Sequence, residues 1–253
     1  MTVSFGLLVP ARILRSATYG GLNIHPSLLP DLRGPAPLQH ALLNRRSHTG
    51  VSLQTMHPTK FDHGVVLAQT PAPGVPIAAD TTPQSLLETL GPIGAEMLVQ
   101  GIKENLFIPP FHDVCQDNPA PTHQSHAPKI TPSDREINWS TWSASEILLR
   151  DRVLGRLWDG SIWARTGLDE GKWEGKQKGL RATFTGPWRV TTGIEGVEAG
   201  TPFLCHKVAT GVDEIRFATK DGKAVVPAGM TQESGKKDQG LGLLVEQIKE
   251  HEG

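Results

Sequence analysis

Cysteine is nearly absent: Cys115 and Cys205 are the two in 253 residues. They share no CxxC spacing and follow no secretory signal. This argues against a disulfide framework or a zinc ribbon and for two reduced, unpaired thiols in an intracellular protein. Long apolar runs are also missing. Every candidate is interrupted by a charge, Pro or Gly before the roughly 18–20 residues a membrane helix needs, so a soluble protein is expected. Excess charge of either sign is lacking, with a formal net charge of −1. Basic and acidic residues nearly balance over 130–253, so a nucleic-acid face there must come from local clustering. No internal repeat is visible. Apolar residues at 38% and charged residues at 20% are an ordinary globular balance, and the length allows one large core or two ordinary ones. Residues 1–10, MTVSFGLLVP, have no basic n-region and too few apolar residues for a signal peptide, and no Arg- and Ser-rich amphipathic pattern. They read as a short strand starting inside a core.

Strands and helices alternate over the first part of the chain. Strand patterns fall at Val3–Val9, Leu22–His25, Gly50–Thr55 and Val65–Gln69, with a helix at Pro37–Arg45. Thr82 suits an N-cap and Pro83 the first turn of a longer helix. An apolar stripe continues along that helix from Leu86 to Ile102, and Gly91-Pro92 should kink or split it. This alternation argues for an α/β layer. Prolines then crowd residues 112–132, which read as an exposed linker between residues 1–111 and 133–253. In the last part, Ser143-Ala144-Ser145-Glu146 is a capping-box pattern opening a helix that should end at Gly155. Short runs at Ser161–Arg165, Leu180–Phe184, Trp188–Thr192, Phe203–His206 and Glu214–Ala218 predict a small antiparallel barrel or sheet. Leu241–Lys249 reads as a final helix.

Chemistry concentrates in Gly20–Gln39, GGLNIHPSLLPDLRGPAPLQ. Asn23 and His25 lie two apart at the end of a predicted strand, so their side chains share a face. They sit at the C-terminal end, where open α/β sheets place ligands. Alone, such a pair is more often a hydrogen-bonded corner than a catalytic site. Pro26 and Pro30 bracket a rigid turn. A second polar group, Asp62 in Lys60-Phe61-Asp62-His63-Gly64, precedes the next predicted strand; by itself it reads as a turn former. Arg33 reads as a solvated surface residue or as the partner of an anionic ligand. His123 and His126 fall in the predicted linker and read as solvated.

The run NIHPSLLPDLRGPAPLQ resembles the signature of the 10-formyltetrahydrofolate-dependent formyltransferases, especially the methionyl-tRNA formyltransferases. TGVSLQTMHPTKFDHGVVLAQ resembles the family's second motif, with one extra residue before the Asp. SFGLLVPARIL resembles the strand and turn that line its folate pocket, and INWS at Ile137–Ser140 resembles the start of its tRNA-contacting domain. The resemblance implies an α/β fold: an incomplete Rossmann-like formyltransferase domain followed by a small OB-like β-barrel. The front strand–helix units of the family, and any targeting segment, would lie upstream of Met1.

Carried over residue by residue, the resemblance makes Asn23, His25 and Asp62 catalytic. Asn23 would donate to the formyl oxygen. His25, as an imidazolium whose pKa Asp62 raises, would stabilise the developing oxyanion. Leu7, Val9, Pro10, Ser27, Leu28, Leu29 and Pro30 would line the folate pocket. Apart from the resemblance, Arg33 could face the substrate, and Lys172, Lys176 and Lys178 with Arg181, or Lys220, Lys223, Lys236 and Lys237, form basic clusters that could contact it, although such runs are more often solvated loops. The implied co-substrate is 10-formyltetrahydrofolate with no metal. The implied acceptor is initiator methionyl-tRNA, and the implied setting is a monomer in the mitochondrial matrix or, in a bacterium, the cytoplasm. Transfer to a small amine or to water, and an inactive paralogue that only binds RNA, are the competing readings.

Overall fold

A computed structural model describes residues 2–3, 9–115, 124–162, 181–193, 195–207, 212–233 and 236–252. The chain divides into two units, Met1–Ile130 and Thr131–Gly253.

The first unit contains β1 (Thr2–Val3), α1 (Ala11–Ser16), β2 (Leu22–His25), α2 (Pro37–Leu43), β3 (His48–Thr49), β4 (Ser52–Thr55), β5 (Val66–Gln69), β6 (Val75–Pro76) and α3 (Pro83–Lys103). The main sheet has the order β1-β2-β4-β5. β1 and β2 are parallel, whereas β2–β4 and β4–β5 are antiparallel. The second pairing follows from its short connection, since a ten-residue loop returns a chain beside itself but is too short for a helical crossover. Most of the predicted strand Val3–Val9 lies outside the described residues.

Period-two alternation gives this sheet two chemically distinct faces. Ile24 and Leu53, paired across β2 and β4, point at Gly94 and Gly101 of α3. Leu86 and Leu90 of that helix are buried with them, at 2% and 1% exposure. The opposite face carries Asn23 and His25 from β2, with Gln54 and Ser52 directly across from them on β4. One face therefore supplies apolar burial and the other gathers polar groups.

Helix α3 differs from expectation. It opens at the Thr82 N-cap, as its sequence predicts, with Ser85 completing a reciprocal capping box, but runs unbroken through Pro92. Pro92 forgoes one backbone hydrogen bond; the buried stripe of Leu86, Leu90 and Gly94 continues across it and keeps both halves on the sheet. The predicted exposed linker also needs correction over its last part. Ser125 O accepts from Leu32 N at 2.8 Å, Ala127 N donates to Arg33 O at 2.7 Å, and Ala36 N donates to Ala127 O at 3.2 Å. Ala127 is completely buried. Asp31 Oδ1 secures the same segment, accepting from Ser125 N at 2.8 Å and from Arg46 at 3.1 Å. Proline composition signalled a stiff chain; it did not reveal that backbone donors of the Leu32–Ala36 turn would find partners there.

The second unit opens with a 3-10 turn at Pro132–Arg135, followed by α4 (Ala144–Leu154), β7 (Trp158–Asp159), β8 (Ala182–Thr185), β9 (Arg189–Thr192), β10 (Pro202–Lys207), β11 (Val212–Ala218), β12 (Lys223–Val226), β13 (Gly229–Gln232) and α5 (Gly240–Glu252). Its two antiparallel sheets have the orders β10-β11-β12-β9 and β13-β8-β7. Ser143 caps α4 by accepting from Glu146 N, and Gly155 ends it at φ 61°. The Glu146 carboxylate pairs with Arg150. Trp139, Phe184, Trp188 and Phe217 form an aromatic cluster with ring separations of 5.0–6.5 Å. The INWS motif is a structural plug here. Ile137 and Trp139 are buried, and Trp139 Nε1 donates to the buried Asp159 carboxylate at 2.8 Å. Among the described residues, no helix is long and apolar enough to cross a membrane.

Candidate active site

Asn23 and His25, neighbours on one strand face, meet at a single carboxylate oxygen of the distant Asp62. Asn23 Nδ2 lies 3.4 Å from Asp62 Oδ1, and His25 Nδ1 lies 3.5 Å from the same atom. The His25 and Asp62 side chains are only 5% and 8% exposed, whereas Asn23 is half-buried. Strand β2 delivers Asn23 and His25; the loop between β4 and β5 delivers Asp62.

That loop is built to present its carboxylate. His57 Nδ1 accepts from Thr59 N and Lys60 N, at 3.2 and 3.1 Å, folding the entry to the loop. Asp62 itself takes a left-handed φ of 53°, which a short polar side chain tolerates better than most. Gly64 then passes so close to β4 that a Cβ would lie 1.7 Å from Thr55 O. Only glycine fits, which gives the Asp-x-Gly spacing a steric basis.

Two groups from the turn after β2 complete the anchorage. Gly34 N donates to Asp62 Oδ2 at 2.9 Å, and Arg33 Nε donates to Asp62 O at 2.8 Å. Gly34 adopts φ 123°, and a Cβ there would meet Ala127 O at 2.4 Å. Arg33, read as a solvated residue or as the partner of an anionic ligand, spends its Nε on the loop backbone. Lys172, Lys176 and Lys178 lie outside the described residues, as do Leu7 and His123. Lys220, Lys223, Lys236 and Lys237 are exposed, and Lys223 lies 3.8 Å from Asp221. His126, expected to be solvated, is exposed, while its backbone forms a bridge with Arg33.

The Pro26–Pro30 turn packs rigidly beside the trio. Ser27 Oγ donates to Asp31 O at 2.7 Å. Ser52 Oγ donates to Ser27 O at 2.7 Å and accepts from Leu29 N at 3.1 Å. Gln69 Nε2 donates to Leu29 O at 2.9 Å. Leu29 is buried, whereas Leu28, Pro30 and Val9 are half-buried and Pro10 is exposed.

His25 departs from the imidazolium that the sequence predicts. Burial lowers its pKa below the ordinary 6.5 and outweighs the raising effect of Asp62 and of the Leu32 carbonyl; Arg33 lowers it further. The neutral ring has a definite tautomer. Leu32 O, 3.0 Å from Nε2, can only accept, so Nε2 carries the hydrogen. Nδ1 is then an unprotonated base facing the Asp62 carboxylate. A proton arriving at Nδ1 would meet a negative charge already in place.

Gln54 was not anticipated. It is 1% exposed, and its Nε2 donates to Asp62 Oδ1 at 2.7 Å. The available signal was positional: Gln54 lies two residues from Ser52 on the strand beside β2, so it shares the polar face of Asn23 and His25.

The site thus consists of a polar sheet face, a rigid proline turn and a carboxylate loop closed by Gly64. Residues 1–102 match the model of the formyl transferase family. The particular relatives are methionyl-tRNA formyltransferases. The chain is 36% identical over 174 residues to the mitochondrial methionyl-tRNA formyltransferase of Saccharomyces cerevisiae, covering 62% of this chain and 42% of that protein. It is 37% identical over 143 residues to the methionyl-tRNA formyltransferase of Dictyoglomus thermophilum, covering 55% of this chain and 42% of that one. The chain thus spans about two fifths of the length of these relatives. Among solved structures, HypX from Aquifex aeolicus shares the fold with a TM-score of 0.55 at 18% identity, over 97% of this chain and 38% of HypX. A HypX structure in complex with tetrahydrofolic acid matches over 90% of this chain and 35% of HypX, with a TM-score of 0.51 at 18% identity.

Proposed function

We propose that this protein transfers a formyl group from 10-formyltetrahydrofolate to the amino group of methionyl initiator tRNA. The convergence of Asn23, His25 and Gln54 on the Asp62 carboxylate carries this reading, and the likeness to methionyl-tRNA formyltransferases supplies the substrates. The acceptor amine attacks the formyl carbon; a C–N bond forms, and the formyl oxygen becomes an oxyanion. The Asn23 amide donates to that oxygen; one such preorganised donor is worth about 10²–10³ in rate. The amine must shed a proton, and Nδ1 of His25 is placed to accept it, with Asp62 stabilising the resulting imidazolium. The tetrahedral species collapses by breaking the formyl carbon's bond to folate N10, which takes up the proton as tetrahydrofolate leaves.

In this reading residues 1–111 carry the chemistry and 133–253 contact the tRNA. The Pro26–Pro30 turn, with Leu7, Val9 and Pro10, lines the folate site. The protein acts as a monomer, in the mitochondrial matrix of a eukaryotic cell or the cytoplasm of a bacterial one. The test incubates the purified chain with 10-formyltetrahydrofolate and charged initiator tRNA, and measures tetrahydrofolate release together with formylmethionine on the tRNA. Stoichiometric appearance of both supports the proposal. Tetrahydrofolate release without tRNA formylation would reassign the chain to a small amine or water as acceptor, and RNA retention with no folate binding would make it an RNA-binding paralogue.

A further inference from the structure

Gln54 holds the shortest contact to the atom on which the site converges. Its Nε2 lies 2.7 Å from Asp62 Oδ1, against 3.4 Å for Asn23 Nδ2 and 3.5 Å for His25 Nδ1. Its other end is unsatisfied. Gln54 Oε1 is buried and has no hydrogen-bond partner among the described residues. Turning the amide over would set that oxygen against the carboxylate, acceptor to acceptor, so the orientation is fixed by Asp62. An orphaned buried carbonyl is a cost that an apolar side chain of the same size would avoid. Gln54 is therefore poorly explained as packing and well explained by what its donor does.

We propose that Gln54 is a positioning residue of the transfer site: its amide pins the Asp62 carboxylate and occupies Oδ1, so that the oxygen stays 3.5 Å from His25 Nδ1 and its hold on a proton arriving there is tempered. Gly34 N fixes the second oxygen at 2.9 Å, leaving the carboxylate little freedom to swing. The kinetic part of this inference rests on the proposed formyl transfer; the contact itself does not.

The test uses the full chain carrying Gln54→Met, which removes the donor and the stranded carbonyl at similar volume, with Gln54→Leu as the second variant should the first fail to fold. The His25 ring is titrated by nitrogen-detected NMR. Asp62 and Arg33 are the charged groups that act on His25, and Arg33 is unchanged, so release of Oδ1 should raise the titration midpoint. In parallel, kcat for formyl transfer should fall by about 10- to 100-fold, the usual cost of a misplaced reacting group, with KM for the folate nearly constant. A purely structural role would move melting temperature and neither of these. An unmoved His25 midpoint overturns the inference whatever the kinetics, as does a raised midpoint with wild-type kcat. Absence of any transfer by the unaltered chain would instead defeat the formyl-transfer reading, and the NMR titration would still decide the role of Gln54.

Discussion

Replacing Asp62 by Asn should damage stability and chemistry together, for reasons that can be counted. The carboxylate accepts from Gln54 Nε2 at 2.7 Å and from Gly34 N at 2.9 Å, and its side chain is 8% exposed. An asparagine presents one oxygen and one NH2. Whichever way it turns, one of those two donors faces another donor in a space with little water. A hydrogen bond to a charged group contributes about 1.5–3 kcal/mol, and a stranded buried donor adds to the loss, so about 3 kcal/mol is expected. For a unit of this size that is roughly 10 °C in melting temperature, read by calorimetry or by urea denaturation with an unchanged m-value. His25 should also titrate lower in the variant, because Asp62 is the charge that raises its pKa. Formyl transfer should fall by about 10²-fold or more. A variant melting within about 2 °C of the wild type and retaining its rate would refute the view that this carboxylate organises the site.

Gly64→Ala should be worse for folding than any substitution at the trio, because its Cβ would lie 1.7 Å from a backbone oxygen of β4; we expect a loss above about 4 kcal/mol, seen as poor soluble yield or early unfolding, and a melting point near wild type would contradict the strand separation described. Acid should destabilise the first unit through His25. Its folded pKa lies below the ordinary 6.5, so the unfolded chain binds the extra proton first. The stability contributed by a neutral His25 is complete above about pH 6.5, is lost as the pH falls from there towards the folded pKa, and changes no further below it. Urea midpoints measured from pH 8 to pH 5 should therefore fall with acid, and His25→Gln should flatten part of that slope; an equal slope in the variant would remove His25 as its source.

Much of the first unit could be read from residue order alone. The strand Leu22–His25 and the start of α3 at Thr82-Pro83 fall where predicted, because alternation and capping are local effects that the chain expresses wherever it is placed. The same holds for α4 between Ser143 and Gly155. Strands Lys223–Val226 and Gly229–Gln232 went unrecognised; each is four residues long, and Pro227 between them reads as a turn.

What the sequence determined by itself was which atoms share a strand face, which family's motifs the first hundred residues resemble, and that Asn23, His25 and Asp62 are the groups to watch. Tertiary structure decided the rest, because it depends on distances between segments that sequence spacing does not set. It brought Gln54 to 2.7 Å from Asp62 and folded the proline-rich residues after Ser125 against the turn that carries Gly34. It also buried His25 deeply enough that desolvation outweighs its neighbouring carboxylate. Composition fixed how many charges this protein carries; the packing around β2 fixed which nitrogen of one imidazole is left as a base.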